Sequence, residues 1–251
     1  MAAPSLRYGQ HPDHVANLHL PGGEGPFPTV VLIHGGFWRD GWDRTLMTGL
    51  AATLPPLGVA AWNVEYRRVG QEGGGWPGTF HDVAAAVDHL AELEAVDASR
   101  IVTCGHSAGG QLALWAAARH RLPAGAPGAD PVVLPCAAIG QAPVADLRSA
   151  FAADLGRGAV SDLLGGGPDE VGDRYAIADP LGLAPLGVPQ LLVHGGRDEI
   201  VPLAQSHAYA RAAGDEVELV ELDGADHFDV IDPTHAAWRA VLDRLPAFLG
   251  G

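Results

Sequence analysis

A serine set between glycines is the residue of this chain best placed for nucleophilic chemistry. It is Ser107, in the segment Gly105-His106-Ser107-Ala108-Gly109, which follows an apolar run and precedes an Ala- and Leu-rich pattern of helical spacing. A serine in such a strand-to-helix turn adopts strained backbone dihedrals, and glycine two residues before and two after it removes the Cβ atoms that would clash. We therefore expect Ser107 to project above the carboxyl edge of a sheet, at a helix N-terminus whose dipole favours developing negative charge.

A second glycine-rich loop, residues 34–38 with the sequence His-Gly-Gly-Phe-Trp, comes directly after another apolar run. Glycines let the backbone approach a substrate closely and direct its N–H groups inward. We predict that the N–H of Gly36 or Phe37 joins the N–H of Ala108 in an oxyanion hole, the set of donors that stabilises a tetrahedral intermediate. His34 is expected to hold this loop by a hydrogen bond rather than to act as the base. The supporting positions around the site are His34, Gly35, Trp38, Gly105, His106 and Gly109.

Two candidate partners of the serine lie in loops near the end of the chain. Asp198 follows the strand pattern at 189–194, and His227 follows the strand pattern at 216–222. The carboxyl ends of parallel strands meet at one edge of a sheet, so both residues can converge on Ser107. There the imidazole would take the proton of the hydroxyl and the carboxylate would orient the imidazole. The chain order Ser, Asp, His is the order expected for an elbow of this type.

Other acidic and histidine residues are weaker candidates. Asp226 is adjacent to His227 and is expected to point away from the imidazole Nδ1, and Glu199 is the nearest substitute for Asp198. His106 is expected to point to the opposite side of the turn from the nucleophile. The histidines within helical patterns are interpreted as surface residues; these are His81, His89, His120, His207 and His235.

Apolar, β-branched runs alternate with longer Ala- and Leu-rich stretches, which is the pattern of an α/β protein with a mostly parallel sheet. Strands are predicted at 29–34, 59–66, 100–105, 134–139, 189–194 and 216–222, and helices at 80–93, 108–119, 202–213 and 234–248. Residues 5–20, broken by Pro12, are predicted to form an antiparallel hairpin at the sheet edge. Residues 1–251 are predicted to form one domain, with about eight strands flanked by helices.

Residues 141–188 interrupt this alternation with Gly, Pro and Asp and with short helical pieces only, at 147–155 and 160–164. An insertion of that length between two core strands is more often functional than idle, so we predict a lid or a pocket wall. Its apolar side chains would line one side of a pocket and tryptophans the other, although core packing explains both sets equally well. These residues are Leu147, Phe151, Leu155, Leu163 and Leu164, with Trp38, Trp42 and Trp76.

The composition excludes several classes of function. A formal net charge of -15 opposes binding to nucleic acids, whose affinity for proteins comes largely from Lys and Arg contacts to phosphates. All 15 basic residues are Arg, which excludes Schiff-base chemistry and the phosphate-binding lysine of nucleotide-binding loops. No metal or cofactor is predicted, since no Cys or His spacing matches a zinc site.

Cysteine usage and hydropathy favour an intracellular protein. Cys104 and Cys136 do not resemble a disulfide framework and are predicted to be buried thiols, with a bridge between their neighbouring strands as the less favoured alternative. No apolar run approaches the roughly 20 residues of a membrane-spanning helix, and residues 1–20 lack an apolar signal core. We expect a cytoplasmic protein with a small-molecule substrate and without nucleic-acid or membrane partners. Whether it forms a homodimer is left open.

With these motifs together, the chain resembles the α/β-hydrolase superfamily over essentially its whole length. The segments His-Gly-Gly-Phe-Trp at 34–38 and Gly-His-Ser-Ala-Gly-Gly at 105–110 resemble the esterase and lipase branch related to hormone-sensitive lipase, especially bacterial carboxylesterases and kynurenine formamidases. His-Phe-Asp at 227–229 is similar to formamidases as well. Residues 63–67, Asn-Val-Glu-Tyr-Arg, lie where such enzymes carry Asp-Tyr-Arg and depart from that motif.

The resemblance implies hydrolysis through an acyl-enzyme on Ser107, with His227 as general base. A carboxylesterase acting on short-chain or aryl esters is the leading expectation. An arylformamidase hydrolysing N-formylkynurenine would use the same machinery with a smaller acyl pocket. The single-domain length disfavours a peptidase of the prolyl-oligopeptidase type, and the intact set of three residues disfavours a non-catalytic ligand-binding member. A non-hydrolytic use of these residues, as in a lyase, stays open.

Overall fold

The computed structural model describes residues 3–250, and these contain one sheet of eight strands with helices on both faces. The strands are β1 (Ser5–Arg7), β2 (Val15–His19), β3 (Phe27–Ile33), β4 (Ala60–Val64), β5 (Val96–His106), β6 (Ala137–Gln141), β7 (Gln190–Gly195) and β8 (Val217–Leu222). The α-helices are α1 (Thr48–Ala51), α2 (Gly78–Asp88), α3 (Ala108–Ala118), α4 (Leu147–Ala152), α5 (Ala159–Leu164), α6 (Gly172–Ala178), α7 (Pro180–Leu183), α8 (Ala204–Ala213) and α9 (Ala236–Phe248). Short 3-10 helices lie at Arg44–Met47, Pro55–Leu57, His89–Glu92, Arg119–Arg121, Gly214–Glu216 and Asp229–Ile231.

The strand order is β1-β2-β4-β3-β5-β6-β7-β8, and the strands from β4 to β8 in this order run parallel. Within residues 3–250 only β2 runs in the opposite direction: it pairs antiparallel with β4 and, in an edge hairpin, antiparallel with β1. The prediction of a mostly parallel eight-stranded sheet with an edge hairpin is confirmed. Because the parallel strands all end at one edge, the loops after β3, β5, β7 and β8 meet there.

Helices bury both faces of the sheet, which explains why its central strands are almost wholly apolar. On one face α2, α3 and α8 pack with the segment between β6 and β7, around a core that includes Phe80, Trp115 and Tyr175. On the other face α1 and α9 contribute Leu50 and Trp238. None of the helices within residues 3–250 is long and apolar enough to cross a membrane.

Most predicted elements differ from the structure by a few residues at their ends, and one strand differs for a clear reason. The strand predicted at 134–139 begins only at Ala137, because Pro135 has no N–H for the ladder and Leu134 is exposed. Both cysteines are free thiols; Cys104 is fully buried, whereas Cys136 is only half-buried. The register places Ile139 opposite Cys104, so the two thiols do not face each other across the strands.

The segment from 141 to 188 forms four short helices, α4 to α7, of which α6 and α7 were not predicted. Helix α7 carries a start signal that the sequence does show, since Asp179 caps the N–H of Leu181 and Pro180 takes the first helical position. Helices of four to seven residues have too little periodicity to stand out from a Gly- and Pro-rich background. The segment is ordered by burial: Leu147 and Leu163 are fully inside the core.

Asp179 is the carboxylate most strongly affected by burial in this segment. Its side chain accepts hydrogen bonds from the backbone N–H of Leu147 at 3.1 Å and of Leu181 at 3.3 Å, so it joins the starts of α4 and α7. Burial raises the pKa of Asp179 to about 7, and these two hydrogen bonds only partly offset it. The folded protein therefore holds a proton here that the unfolded chain releases above about pH 4.

Replacing Asp179 by Asn should remove this pH dependence. Asn keeps an oxygen for both backbone donors but cannot ionise, so it avoids the loss of stability that the wild type suffers as pH rises from about 4 to 7. We expect Asp179→Asn to raise the urea midpoint relative to the wild type at pH 8 and to leave it nearly unchanged at pH 4. The exposed Asp173→Asn is the matched control. An Asp179→Asn advantage at pH 4 as large as that at pH 8 would contradict the assignment.

Candidate active site

Ser107 lies in a sharp turn between β5 and α3, with φ 56° and ψ -119°. These dihedrals are sparsely populated for a residue with a Cβ atom and persist only where the surroundings impose them. A Cβ on Gly105 would lie 2.0 Å from the carbonyl oxygen of Gly109, and a Cβ on Gly109 would lie 2.1 Å from that of Ile33. The two glycines therefore allow α3 to pack directly on β5 and β3, and this packing holds the turn.

Backbone hydrogen bonds to β6 and the loop after it fix the same turn. The N–H of Ser107 donates to the carbonyl of Gln141 at 2.8 Å, and the carbonyl of Ser107 accepts from the N–H of Val144 at 3.2 Å. Gln141 is itself held, since its fully buried side-chain amide donates to the carbonyl of Val230. The strained serine is thus anchored on both sides of its peptide.

Asp198 and His227 meet as the sequence predicts. Oδ2 of Asp198 lies 2.6 Å from Nδ1 of His227, and Oδ1 accepts from the N–H groups of Ile200 and Val201, each at 2.8 Å. Burial alone would raise the pKa of the Asp198 carboxyl, but hydrogen bonds from His194 and His227 hold it well below its usual range. Asp198 is therefore an ionised, fully buried carboxylate that fixes the orientation of the imidazole.

Asp226 and Glu199, the weaker acidic candidates from the sequence, have other partners or positions. Asp226 accepts the N–H groups of Phe228 at 2.8 Å and Asp229 at 3.0 Å, so it shapes the turn that carries His227. Glu199 is exposed beside the site.

His106 does not point away from the site, and this expectation was wrong. Its ring is buried 4.5 Å from the ring of His227, and its Nε2 donates to the backbone carbonyl of His227 at 2.9 Å. Burial lowers the pKa of His106 to about 3, so the ring is neutral. His106 thereby links the nucleophile turn to the histidine loop.

The loop at 34–38 approaches the nucleophile as closely as its glycines allow. A Cβ on Gly35 would lie 2.8 Å from the carbonyl oxygen of His106 and 2.9 Å from Cβ of Ser107. Gly36 and Phe37 both have positive φ, 109° and 53°. Within residues 3–250 their N–H groups have no protein acceptor, and the N–H of Ala108, as the first residue of α3, has no helical partner. All three donors predicted for the oxyanion hole are therefore available.

His34 holds this loop from behind. Its Nδ1 is 2.8 Å from the carbonyl oxygen of Gly35 and its Nε2 is 2.9 Å from Oε1 of Glu65, with the ring fully buried. Tyr66 stacks on the ring at 4.4 Å and donates its hydroxyl to the carbonyl of His34 at 2.8 Å. Glu65 and Tyr66, in the segment 63–67 whose Asn-Val-Glu-Tyr-Arg form departs from the Asp-Tyr-Arg motif, thus support the oxyanion loop. Trp38 is buried and donates to the side chain of Gln111 at 3.0 Å.

A pocket of about 90 Å³ opens above the nucleophile, and its lining is mostly apolar. It is formed by Gly36, Phe37, Trp42, Leu46, His106, Ser107, Ile200, His227 and Phe228. A wider cleft of about 400 Å³ adjoins it on the side of His227 and is lined by Arg197, Glu199, Ile200, Asp226, His227 and Phe228. Trp42 and Phe228, which both line the pocket, are exposed, and their rings stack with the centroids 6.0 Å apart.

The expected pocket wall from residues 141–188 is wrong, because none of its five apolar candidates lines either cavity. Three of them are in the core, and of the three tryptophans only Trp42 reaches the pocket. The insertion instead supports the outer side of the oxyanion loop: Arg39 donates to the carbonyl of Gly156 at 2.8 Å and pairs with Asp162 at 2.6 Å. A lid role for this segment stays a prediction.

The fold is that of an α/β-hydrolase, with Ser107, Asp198 and His227 in loops at the carboxyl edge of its sheet. The chain belongs to the BD-FAE family, whose family model matches residues 17–212.

Similar proteins span most of the chain. The uncharacterized protein Rv2307c of Mycobacterium tuberculosis is 28% identical over 233 residues, covering 92% of this chain and 72% of that protein. A truncated carbohydrate esterase from gut microbiota has a TM-score of 0.83 at 19% identity, with 100% of this chain and 98% of the other covered. The esterase Est2 of Thermogutta terrifontis, solved with butyrate, has a TM-score of 0.78 at 23% identity, with 99% and 95% covered. These structural likenesses establish the fold.

Substituting Gly35 should test the geometry of the oxyanion loop. A methyl group at this position would push the loop away from Ser107, and loss of one oxyanion donor typically lowers reactivity by about 10²–10³-fold. We expect Gly35→Ala to slow labelling by a fluorophosphonate probe by about this factor, measured by gel fluorescence. Gly41→Ala is the control, because a Cβ there meets nothing within 4 Å. Equal labelling rates in the two variants would contradict the placement of the loop.

Proposed function

We propose that the protein hydrolyses carboxylic esters through an acyl-enzyme on Ser107. The observation that carries this proposal is the 2.6 Å contact between Asp198 and His227, at a pocket that both His227 and Ser107 line. Catalysis of this type needs a nucleophile, an oriented base and preorganised donors for the oxyanion. The N–H groups of Gly36 and Phe37, which have no protein acceptor within residues 3–250, supply the donors from one side, and the start of α3 supplies one from the other.

The reaction proceeds in two steps of the same kind. Oγ of Ser107 attacks the ester carbonyl while Nε2 of His227 takes its proton, and the carbonyl oxygen becomes an oxyanion held by backbone N–H groups. Collapse of this intermediate breaks the bond to the alcohol, which leaves with the proton from His227. Water then attacks the acyl-enzyme, His227 accepts its proton and returns one to Ser107, and the carboxylic acid is released. Asp198 stays ionised throughout and stabilises the imidazolium.

The acyl side of the site favours short chains. The pocket beside the oxyanion donors is apolar and measures about 90 Å³, well below the roughly 300–1,000 Å³ typical of sites for drug-sized ligands. Phe37, Leu46 and Ile200 bound it. Est2 of Thermogutta terrifontis, similar in fold, has been solved with butyrate and with propionate, which supports an acyl group of this size.

The leaving group must lie beside His227, which protonates it. The cleft of about 400 Å³ on that side carries Arg197, Glu199 and Asp226, so it is open and polar where the acyl pocket is apolar. A polar alcohol, with hydroxyl groups that can reach these side chains, fits this division best. The structural likeness to a carbohydrate esterase supports an alcohol of this kind.

An arylformamidase is the second candidate, and the exposed aromatic pair favours it. The formyl group is smaller than any other acyl group and fits the small pocket, while Trp42 and Phe228 offer faces for the aryl ring of N-formylkynurenine. The same nucleophile and base serve both reactions, so the two functions are distinguished by which substrate the protein prefers.

Activity should fall with acyl length and disappear without the nucleophile. We expect kcat/KM on p-nitrophenyl esters to drop by at least about tenfold, some 1.4 kcal/mol, between butyrate and octanoate, because the longer chain exceeds the pocket. Ser107→Ala should be inactive on every ester. Unchanged activity in this variant would overturn the mechanism, and a rising rate with chain length would overturn the assigned acyl pocket.

A direct comparison of N-formylkynurenine with phenyl acetate should distinguish the two candidates. We expect the ester to be hydrolysed with the higher kcat/KM, because phenolate is a much better leaving group than the arylamine of the formamide. A preference for the formamide of more than about tenfold, some 1.4 kcal/mol in transition-state binding, would reverse the ranking. Initial rates under identical conditions, with Ser107→Ala as the blank, provide the measurement.

A further inference from the structure

A second histidine binds the carboxylate that orients His227. His194 lies at the end of β7, four residues before Asp198, and its ring is fully buried. Its Nε2 lies 3.2 Å from Oδ2 of Asp198, the same oxygen that contacts His227, and 2.9 Å from the carbonyl oxygen of Val201. Sequence reasoning passed over His194, although its position at a strand end just before the acidic residue is a usable signal.

The surroundings of His194 determine which nitrogen carries the proton. Both neighbours of Nε2 are oxygens that can only accept, so Nε2 carries a hydrogen, which bonds the carbonyl of Val201 with Oδ2 of Asp198 also within 3.2 Å of the nitrogen. Nδ1 lies 2.8 Å from the hydroxyl of Ser206, which is fully buried and can donate its proton to that nitrogen. Ser206 on α8 therefore stabilises the tautomer in which His194 donates to Asp198.

We propose that His194 is a positioning residue, which acts through Asp198 to keep His227 aligned with the nucleophile. Both carboxylate oxygens are contacted: two backbone N–H groups donate to Oδ1, while Nδ1 of His227 at 2.6 Å and Nε2 of His194 at 3.2 Å face Oδ2. With both oxygens held, the carboxylate cannot rotate about its Cβ–Cγ bond when His227 gains or loses a proton. Without His194, the turn at 198–201 would still hold Oδ1. The only group directing Oδ2 would then be His227, which is the residue that Asp198 must itself orient.

A purely structural role for His194 is the competing explanation, because it also bonds the carbonyl of Val201 within the same turn. The two roles predict different kinetics. If His194 acts through Asp198, replacing it does not change kcat once the Asp198 carboxylate has been removed. If His194 only stabilises the turn, replacing it lowers kcat by the same factor with and without that carboxylate. The proposal rests on the proposed function only for its kinetic readout.

A double-mutant cycle between His194 and Asp198 tests the proposal. We expect His194→Leu to lower kcat on p-nitrophenyl butyrate about tenfold with KM nearly unchanged, as for loss of one hydrogen bond to a charged group. In the Asp198→Asn background the same change should alter kcat less than about twofold. His194→Gln, which keeps an N–H donor of similar reach, should recover a measurable part of the loss. A tenfold loss in both backgrounds, or a change in KM alone, would overturn the proposal.

Two further measurements keep the outcome decisive. Ser206→Ala leaves His194 in place but removes the hydroxyl that selects its tautomer, so kcat should fall by a smaller factor, about threefold. This variant tests the proposal even if His194→Leu does not fold. An unchanged kcat in Ser206→Ala would contradict the proposal. The low-field NMR signal of the Nδ1 proton of His227 should shift in His194→Leu whatever the substrate is. If the wild type hydrolyses no ester but this signal shifts, the proposed function fails and the positioning role stands; an unshifted signal overturns the positioning role.

Discussion

The strained turn at Ser107 is the constraint on which the arrangement of this protein depends. A residue with a Cβ atom keeps φ 56° and ψ -119° only because α3 packs against β5 and β3 without intervening side chains. The same close packing brings the loop after β3 against the turn, where Gly35 is nearly in contact with the nucleophile. The parallel sheet then adds the loops after β7 and β8 at the same edge. The oxyanion donors and the base thus follow from one local geometry and one sheet topology.

Two buried aspartates show how the fold uses the same side chain in opposite ways. Asp198 receives donors on both oxygens and has its pKa held well below the usual range, so its charge is available to the imidazole. Asp179 accepts two backbone N–H groups and lies near the guanidinium of Arg148, but burial outweighs both, and its pKa rises to about 7. Desolvation is the largest influence on both groups, and the number and kind of donors decides the direction of the shift.

The sequence predicted those parts of the site whose physical cause lies in neighbouring residues or in the general topology of a parallel sheet. Ser107 and the glycine pair at 35 and 36 were predictable because their turns require those residue types, and Asp198 and His227 because parallel strands end at one edge. The orientation of His106 and the role of His194 were not predictable, since both depend on loops that are distant in sequence and become neighbours only in the fold.

The walls of the pocket were misassigned for a similar reason. Apolar residues such as Leu147 and Leu163 suit a core and a pocket equally well, and only tertiary packing decides between the two.

The most direct test of the account is to trap the acyl group during turnover. Acid quenching of the enzyme with p-nitrophenyl butyrate, followed by mass spectrometry of its peptides, should place a butyryl group on the peptide that contains Ser107 and on no other. The adduct should disappear once the substrate is exhausted, as hydrolysis of an acyl-enzyme requires. A butyryl group on a different residue, or turnover with an equal adduct in Ser107→Ala, would contradict the assignment of Ser107 as the nucleophile.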